Sequence, residues 1–233
     1  YYQQNKRYSK RYMKKNSSSQ KAKKLQDNGV KILDIEKLEI RGNLECGKDV
    51  LIETNVIIEG EVYLGDSVKI RSNTIIIDSS INNYTEIKSN SIIRNSTIRE
   101  NCVIGPYSRI RTGTKIDNFS QIGTFVEIKK SIIGSGCKIN HMAFIGDAIL
   151  GDDVIIGAGT ITCNHDGNKS QQTVIHSGSY IGSNVNLIAP IIIGENATIG
   201  AGSTITKNAP DNKLTLSRPK QVTVQGREKI KSE

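Results

Sequence analysis

Histidine is the side chain best suited to moving a proton near neutral pH, and this sequence of 233 residues contains three: His141, His165 and His176. They stand 24 and 11 residues apart. Neither interval matches one face or a whole coil of the repeat that organises the chain, so no three-histidine zinc centre is expected and no metal is assigned. His141 is the candidate general base. It lies in a polar stretch with Glu127, Lys129, Lys130, Lys138, Asn140 and Asp147, where an imidazole can take a proton from an amine or hydroxyl nucleophile. The position also fits an ordinary exposed turn. Cys46, Cys102, Cys137 and Cys163 show no CxxC spacing, and the first three fall in inward slots of the repeat, so all four read as reduced thiols.

The elements that must position these residues are set by a period of six. Isoleucine or leucine recurs at Ile52, Ile58, Leu64, Ile70 and Ile76, again from Ile104 to Ile128, and with few slips as far as Ile205. Six is neither the helical period nor the strand period, so a larger unit is being stacked, one short strand plus one turn. Glycine follows the aliphatic in Leu64-Gly65, Ile122-Gly123, Ile156-Gly157 and Ile181-Gly182, which reads as a corner. Two residues before it stands a small or β-branched side chain such as Val68, Ser120 or Cys137. Large and small inward positions then alternate across a narrow, dry core. Three hexapeptides per coil make a triangular prism, an all-β parallel solenoid of about nine coils over residues 46–207, roughly 43 Å tall. Period six does not fix its hand.

Four steps of five residues, such as Ile76 to Ile81 and Ile145 to Leu150, read as shortened corners. The one long gap, Thr162 to Ile175, places Asn164 to Gln172 in a loop thrown out of a coil, where function tends to sit. Outside the prism, residues 1–24 form a basic tail or linker and 25–45 a linker with the first strands. A linker helix is expected over Gln20 to Leu33, and a C-terminal extension over 208–233. The tail carries nine Lys and Arg and no acid, equal to the whole net charge of +9. It fits an arm for nucleic acid or an anionic membrane, and equally a solvated linker, which is favoured here. With 36% apolar and 5% aromatic residues, the chain can bury an aliphatic core. No run of eighteen apolar residues and no apolar leader occur, so no membrane span is expected and a cytoplasmic address is the default.

The segments GPYSRIRTG, GTFVEIKKSIIG, INHMAFIGDAILGDDV, IGAGTITCNHDG and IGSNVNLIAPIIIG resemble the C-terminal acetyltransferase domain of the bifunctional N-acetylglucosamine-1-phosphate uridyltransferase and glucosamine-1-phosphate acetyltransferase family. The likeness covers about residues 20 to 220. It implies a left-handed parallel β-helix, a homotrimer with clefts between subunits, and acetyl-CoA as co-substrate. The implied reaction is N-acetylation of glucosamine 1-phosphate, feeding UDP-N-acetylglucosamine and hence peptidoglycan and lipopolysaccharide synthesis. His141 aligns with the family's general base, and Arg111 and Lys129 with its sugar-phosphate positions. Ala158, Asn164, His165, Ser183, Ala201 and Arg218 match positions lining the acetyl-CoA site, with His165 standing where the family usually has tyrosine.

Two acceptor-site positions depart from the family: Phe144 replaces a tyrosine and Ile155 an asparagine. Each change removes hydrogen-bonding capacity, about 0.5 to 1.5 kcal/mol apiece. The glycine-rich GxGTRM-type loop of the family's uridyltransferase half is missing from this sequence, and magnesium is expected only with such a domain. The alternatives to glucosamine-1-phosphate acetylation are an acyltransferase on a related amino sugar, a catalytically decayed trimeric scaffold, and nucleic-acid or membrane binding through the tail.

Overall fold

The computed structural model describes residues 18–224 and 226. Three columns of inward side chains organise it. The first runs from Ile32 through Ile52, Ile70, Ile87, Ile104, Ile122, Ile139, Ile156 and Ile181 to Ile199, each residue the register partner of the next. The second runs from Ile40 through Ile58, Ile76, Ile93, Ile110 and Ile128 to Ile145, then Thr162, Leu187 and Ile205. The third climbs from Cys46 and Leu64 to Ile175 and Ile193. Apart from half-buried Cys46, these side chains are buried. The result is a parallel β-solenoid matching a left-handed β-helix. One sheet of 11 strands forms its first face, and one of 17 strands folds around the other two.

The small inward slots are filled as the alternation requires. Val68, Cys102, Ser120, Cys137, Val154, Ser179 and Ala197 are fully buried. Their hydroxyls and thiols donate to carbonyls of the next coil, as from Ser120 Oγ to Gly134 O (2.8 Å) and Cys137 Sγ to Gly151 O (3.1 Å). These polar atoms in a dry core are thus satisfied within the wall, whereas the buried Thr173 Oγ1 has no hydrogen-bond partner.

The corners correct one expectation. Of the ten glycines that follow a large aliphatic, Gly105 alone has a left-handed φ (+96°). Most of the others are bare because the next coil comes too close for a side chain, and at Gly146 the Phe144 ring of the same strand takes the space. A Cβ on Gly157 would lie 2.5 Å from Ser183 N, and one on Gly182 would lie 2.6 Å from Ala201 N. The left-handed residue comes later instead. At the corner between the first and second faces it stands three residues past the aliphatic, at Asn55, Asn73, Asn90, Tyr107, Phe125 and Met142. Asparagine tolerates that conformation well, whereas aromatic side chains there are uncommon. In the four shortened steps it comes one residue earlier, at Asp78, Asn95, Lys130 and Asp147, all between the second and third faces.

The ladder begins at Lys31 and ends at Thr215, beyond the span 46–207 at both ends. Its first step is stretched by a 3-10 turn at Ile35–Lys37, which hides Ile32 and Ile40 from a strict period of six. The linker helix covers residues 18–27 and closes one end of the prism. Its Ser18 hydroxyl donates to Leu38 O (3.1 Å) and accepts from Ile40 N (2.8 Å), while Lys21 Nζ donates to Gly42 O (2.6 Å). Lys6, Arg7, Lys10, Arg11, Lys14 and Lys15 of the basic tail lie outside the described residues. No helix among the described residues is long and apolar enough to cross a membrane.

Candidate active site

The second face and its two edges gather most of the candidate residues. Along the edge shared with the first face, the position two residues past the inward aliphatic is held in successive coils by Thr124, His141, Ala158, Ser183 and Ala201. Thr124, His141, Ala158, Ser183 and Ala201 therefore form one column. From His141 to Ala201 is three strand spacings, about 14 Å. Arg218 lies beside the end of the line, over the neighbouring Gly202, its Cδ 3.9 Å from where a Cβ would sit on that glycine. Glycines flank the column at Gly157, Gly159, Gly182, Gly200 and Gly202, so the edge is a bare track that a slender, flexible chain can follow.

The backbone changes at His141. The amides of Met142, Asn184 and Gly202 bond to Thr124 O, Ala158 O and Ser183 O of the coil below, each one position short of its own. Gly159 N instead takes Met142 O at 2.8 Å, leaving the His141 carbonyl out of that rung. The His141 side chain is exposed. Beside it Phe125 and Met142 project at 62% and 65% exposure, and the Phe125 ring meets Tyr107 with centroids 5.5 Å apart.

On the strand itself, outward residues stack as Arg109, Glu127, Phe144 and Ile161 on one side of the buried aliphatics. On the other side Arg111 stands below Lys129, and Lys129 below Gly146. Arg111 Nη1 donates to Glu127 Oε1 at 2.6 Å, and Arg109 Nη1 lies 3.7 Å from Glu127 Oε2. Among the described residues Lys129 makes no ion pair, so its charge remains available to an anion. The Phe144 ring leans over bare Gly146. A Cβ on that glycine would meet Phe144 Cε1 at 2.8 Å and Asn164 Nδ2 at 3.0 Å.

The loop at residues 164–172 leaves from the opposite edge, where the second face meets the third. Thr162, the hydroxyl residue in the inward column, accepts from Gly146 N (2.7 Å) and donates to Gly146 O (3.1 Å), fixing the loop's root. Buried Asn164 donates from Nδ2 to Asp147 Oδ2 at 2.5 Å. Asp147 O accepts from Thr173 N (3.2 Å), and Gln171 N donates to Asn164 O (2.6 Å), closing the base. At the tip, Asp166 Oδ1 accepts from the amides of Lys169 and Asn168, which hold its carboxyl below the usual range. His165 Nδ1 accepts from Gly167 N (3.1 Å), so this ring serves the turn.

Ile155 is not brought to this face. It stands on the first face between Lys138 and Tyr180, partly exposed and around the corner from Phe144. His176 is exposed in the third-face region and joins neither other histidine. No cluster of three or more His, Cys, Asp or Glu among the described residues is placed to hold a metal ion. Glu127 and Asp147, the carboxylates that hold Arg111 and Asn164, were not singled out as site residues by the sequence pattern. Their signal is position: Glu127 fills the outward slot before inward Ile128, and Asp147 the left-handed corner two residues past inward Ile145.

Residues 172–207 match the bacterial transferase hexapeptide model (six repeats). The chain is 46% identical over 205 residues to the bifunctional protein GlmU of Nitrosospira multiformis, covering 88% of this chain and 45% of that protein. To GlmU of Ruthia magnifica it is 49% identical over 203 residues, covering 87% and 45%. Over most of its length the chain is similar to the GlmU proteins, in the region of their C-terminal acetyltransferase domain. It spans about half the length of the GlmU relatives it matches. Among solved structures, the UDP-N-acetylglucosamine acyltransferases of Arabidopsis (TM-score 0.59, 18% identity, 76% of this chain and 69% of that one) and Francisella novicida (0.54, 16%, 78% and 65%) share the fold.

Proposed function

We propose that this chain transfers the acetyl group of acetyl-CoA to the amine of glucosamine 1-phosphate, giving N-acetylglucosamine 1-phosphate for UDP-N-acetylglucosamine synthesis. The observation that carries the reading is the single column of His141, Ala158, Ser183 and Ala201, residues that align with functional positions of the family. Identity of 46% to a GlmU protein across 88% of the chain supports it. His141 takes a proton from the sugar amine as its nitrogen attacks the thioester carbonyl. The tetrahedral intermediate then expels the CoA sulfur, which leaves as thiol once it regains a proton. The donor's arm lies along the glycine-flanked track, and Arg218 at its far end meets a CoA phosphate. Arg111, oriented by Glu127, and Lys129 hold the sugar phosphate from the adjacent strand.

The assembly in this reading is a cytoplasmic homotrimer. Exposed Phe125 and Met142, both in left-handed backbone, supply apolar surface beside His141 for a neighbouring copy. A cleft between copies also gives Ile155 a way to reach an acceptor bound against another subunit's Phe144. Magnesium has no part in this half of the chemistry.

A second reading, acylation of a related amino sugar, is favoured by Phe144 and Ile155, which offer no hydrogen bond to an acceptor hydroxyl. The test is release of free thiol from acetyl-CoA with a panel of amino sugars and their phosphates. Turnover confined to glucosamine 1-phosphate supports the first reading, and turnover only with another amino sugar the second. Silence across the panel from folded protein sinks both and leaves the decayed scaffold.

A further inference from the structure

We propose that Asp147 is a positioning residue that fixes which end of the Asn164 amide the loop presents to a bound donor. An ionised carboxylate only accepts hydrogen bonds, so the contact between Asp147 Oδ2 and Asn164 must be made by the amide nitrogen, at 2.5 Å. The carbonyl end, Oδ1, is thereby turned away from Asp147. Asn164 is 8% exposed, so a flipped amide would press its oxygen against a buried-side carboxylate that could not answer it.

Asp147 also grips the loop through its backbone. It sits at a shortened corner with φ +49°, takes Thr173 N onto its carbonyl, and donates its own amide to Lys129 O at 3.0 Å. The first residue of the loop and the first residue after it are therefore held by the same amino acid. Thr162 and Gly146 lock the rung beneath, and the Phe144 ring closes the side of the cluster. What the loop offers a ligand at Asn164 is then an acceptor, suited to an amide N–H of a pantetheine arm that lies along the track of a neighbouring copy, across the cleft between subunits. This inference rests on the reading that Asn164 borders the acetyl-CoA site.

The test is an exchange of the two side chains: Asn164→Asp, Asp147→Asn, and the double variant that carries both. Asn164→Asp sets two carboxylates in contact, and roughly a ten-fold or greater rise in KM for acetyl-CoA is expected, with KM for glucosamine 1-phosphate within about twofold. The double variant restores an amide-to-carboxylate bond with an acceptor still facing outward, so recovery to within about threefold of the parent is expected. Exchange of the Gln171 amide hydrogen, which bonds to Asn164 O, should quicken in the single variant and slow again in the double. An unaltered acetyl-CoA KM in Asn164→Asp, or a double variant no better than it, overturns the proposal. If the parent protein turns over no amino sugar, the reaction assignment fails by itself. The Gln171 exchange then decides: faster in Asn164→Asp and restored in the double variant supports the positioning role, and any other pattern overturns it.

Discussion

His141 and Ala158 occupy the same corner position one coil apart, because Ile139 and Ile156 beneath them are register partners. The side chain able to move a proton therefore stands at the foot of a track of small residues, on an edge whose rise is set by strand spacing. The solenoid does the positioning that loops do in other folds: each coil offers one side chain per corner, and stacking makes a line of them.

The first prediction concerns that track. Ala158→Leu adds a branched side chain at a half-buried corner and Ser183→Leu at an exposed one, both outside the inward columns. KM for acetyl-CoA should rise roughly ten-fold or more, with KM for the sugar phosphate little changed and unfolding unaffected. Equal effects on both substrates would mean that the track does not carry the donor.

Restoring polarity tests the acceptor side. Phe144→Tyr and Ile155→Asn each return a hydrogen-bonding group, worth about 0.5 to 1.5 kcal/mol. The double variant should lower KM for glucosamine 1-phosphate roughly ten-fold. An unchanged or higher KM in both the single and double variants would favour a different amino sugar as the natural acceptor.

Thiol reactivity follows burial. Cys102 and Cys137 are fully buried, and desolvation pushes each thiol up to about 11; that of Cys46 rises to about 12. Cys163 is half-buried and also raised by desolvation. At pH 8 a thiol reagent should modify Cys163 first, and Cys102 and Cys137 only on unfolding. For these raised groups, stability is fully present below their unfolded pKa and is lost as pH climbs toward 11. Denaturant midpoints measured from pH 8 to 11 should fall, and Cys102→Ser with Cys137→Ser should flatten the decline.

At the acid end, Arg71 links two carboxylates on the first face, Glu53 Oε1 at 2.9 Å and Glu86 Oε1 at 2.5 Å. Arg71 and the Ser72 hydroxyl and amide hold the Glu53 carboxyl below its ordinary value of 4.5. A lowered carboxyl contributes stability above that value and loses it as pH falls through the folded one. Arg71→Leu should therefore move the acid-unfolding midpoint to higher pH, costing no more than about 1 kcal/mol at pH 7 for a partly exposed pair. No change in the midpoint would mean that the triad is idle.

How legible this was in the sequence differs from element to element. The Ile52 to Ile205 register can be read directly, because a large aliphatic in an inward slot has no competing explanation. Ile32 and Ile40 escape it, since the Ile35–Lys37 turn breaks the count. The glycines after each aliphatic were assigned to corner conformation when close coil stacking excludes their side chains; spacing along one chain cannot reveal what the next coil brings near. The left-handed corner residue left a signal that the glycine pattern obscured, the recurring asparagine at Asn55, Asn73 and Asn90, three residues past the aliphatic. At the site, His141, Ala158, Ser183 and Ala201 align only once the inserted loop is subtracted. The pairs Arg111 with Glu127 and Asn164 with Asp147 depend on outward contacts between coils of 17 and 18 residues, for which no single sequence interval exists.

The most direct measurement is thiol release from acetyl-CoA with glucosamine 1-phosphate, alongside His141→Ala and with the product identified by mass. The account predicts N-acetylglucosamine 1-phosphate formed in step with thiol, slowed roughly a hundred-fold or more by the substitution in a protein of unchanged fold. Turnover that survives His141→Ala, or thiol release without acetylated sugar, would contradict it.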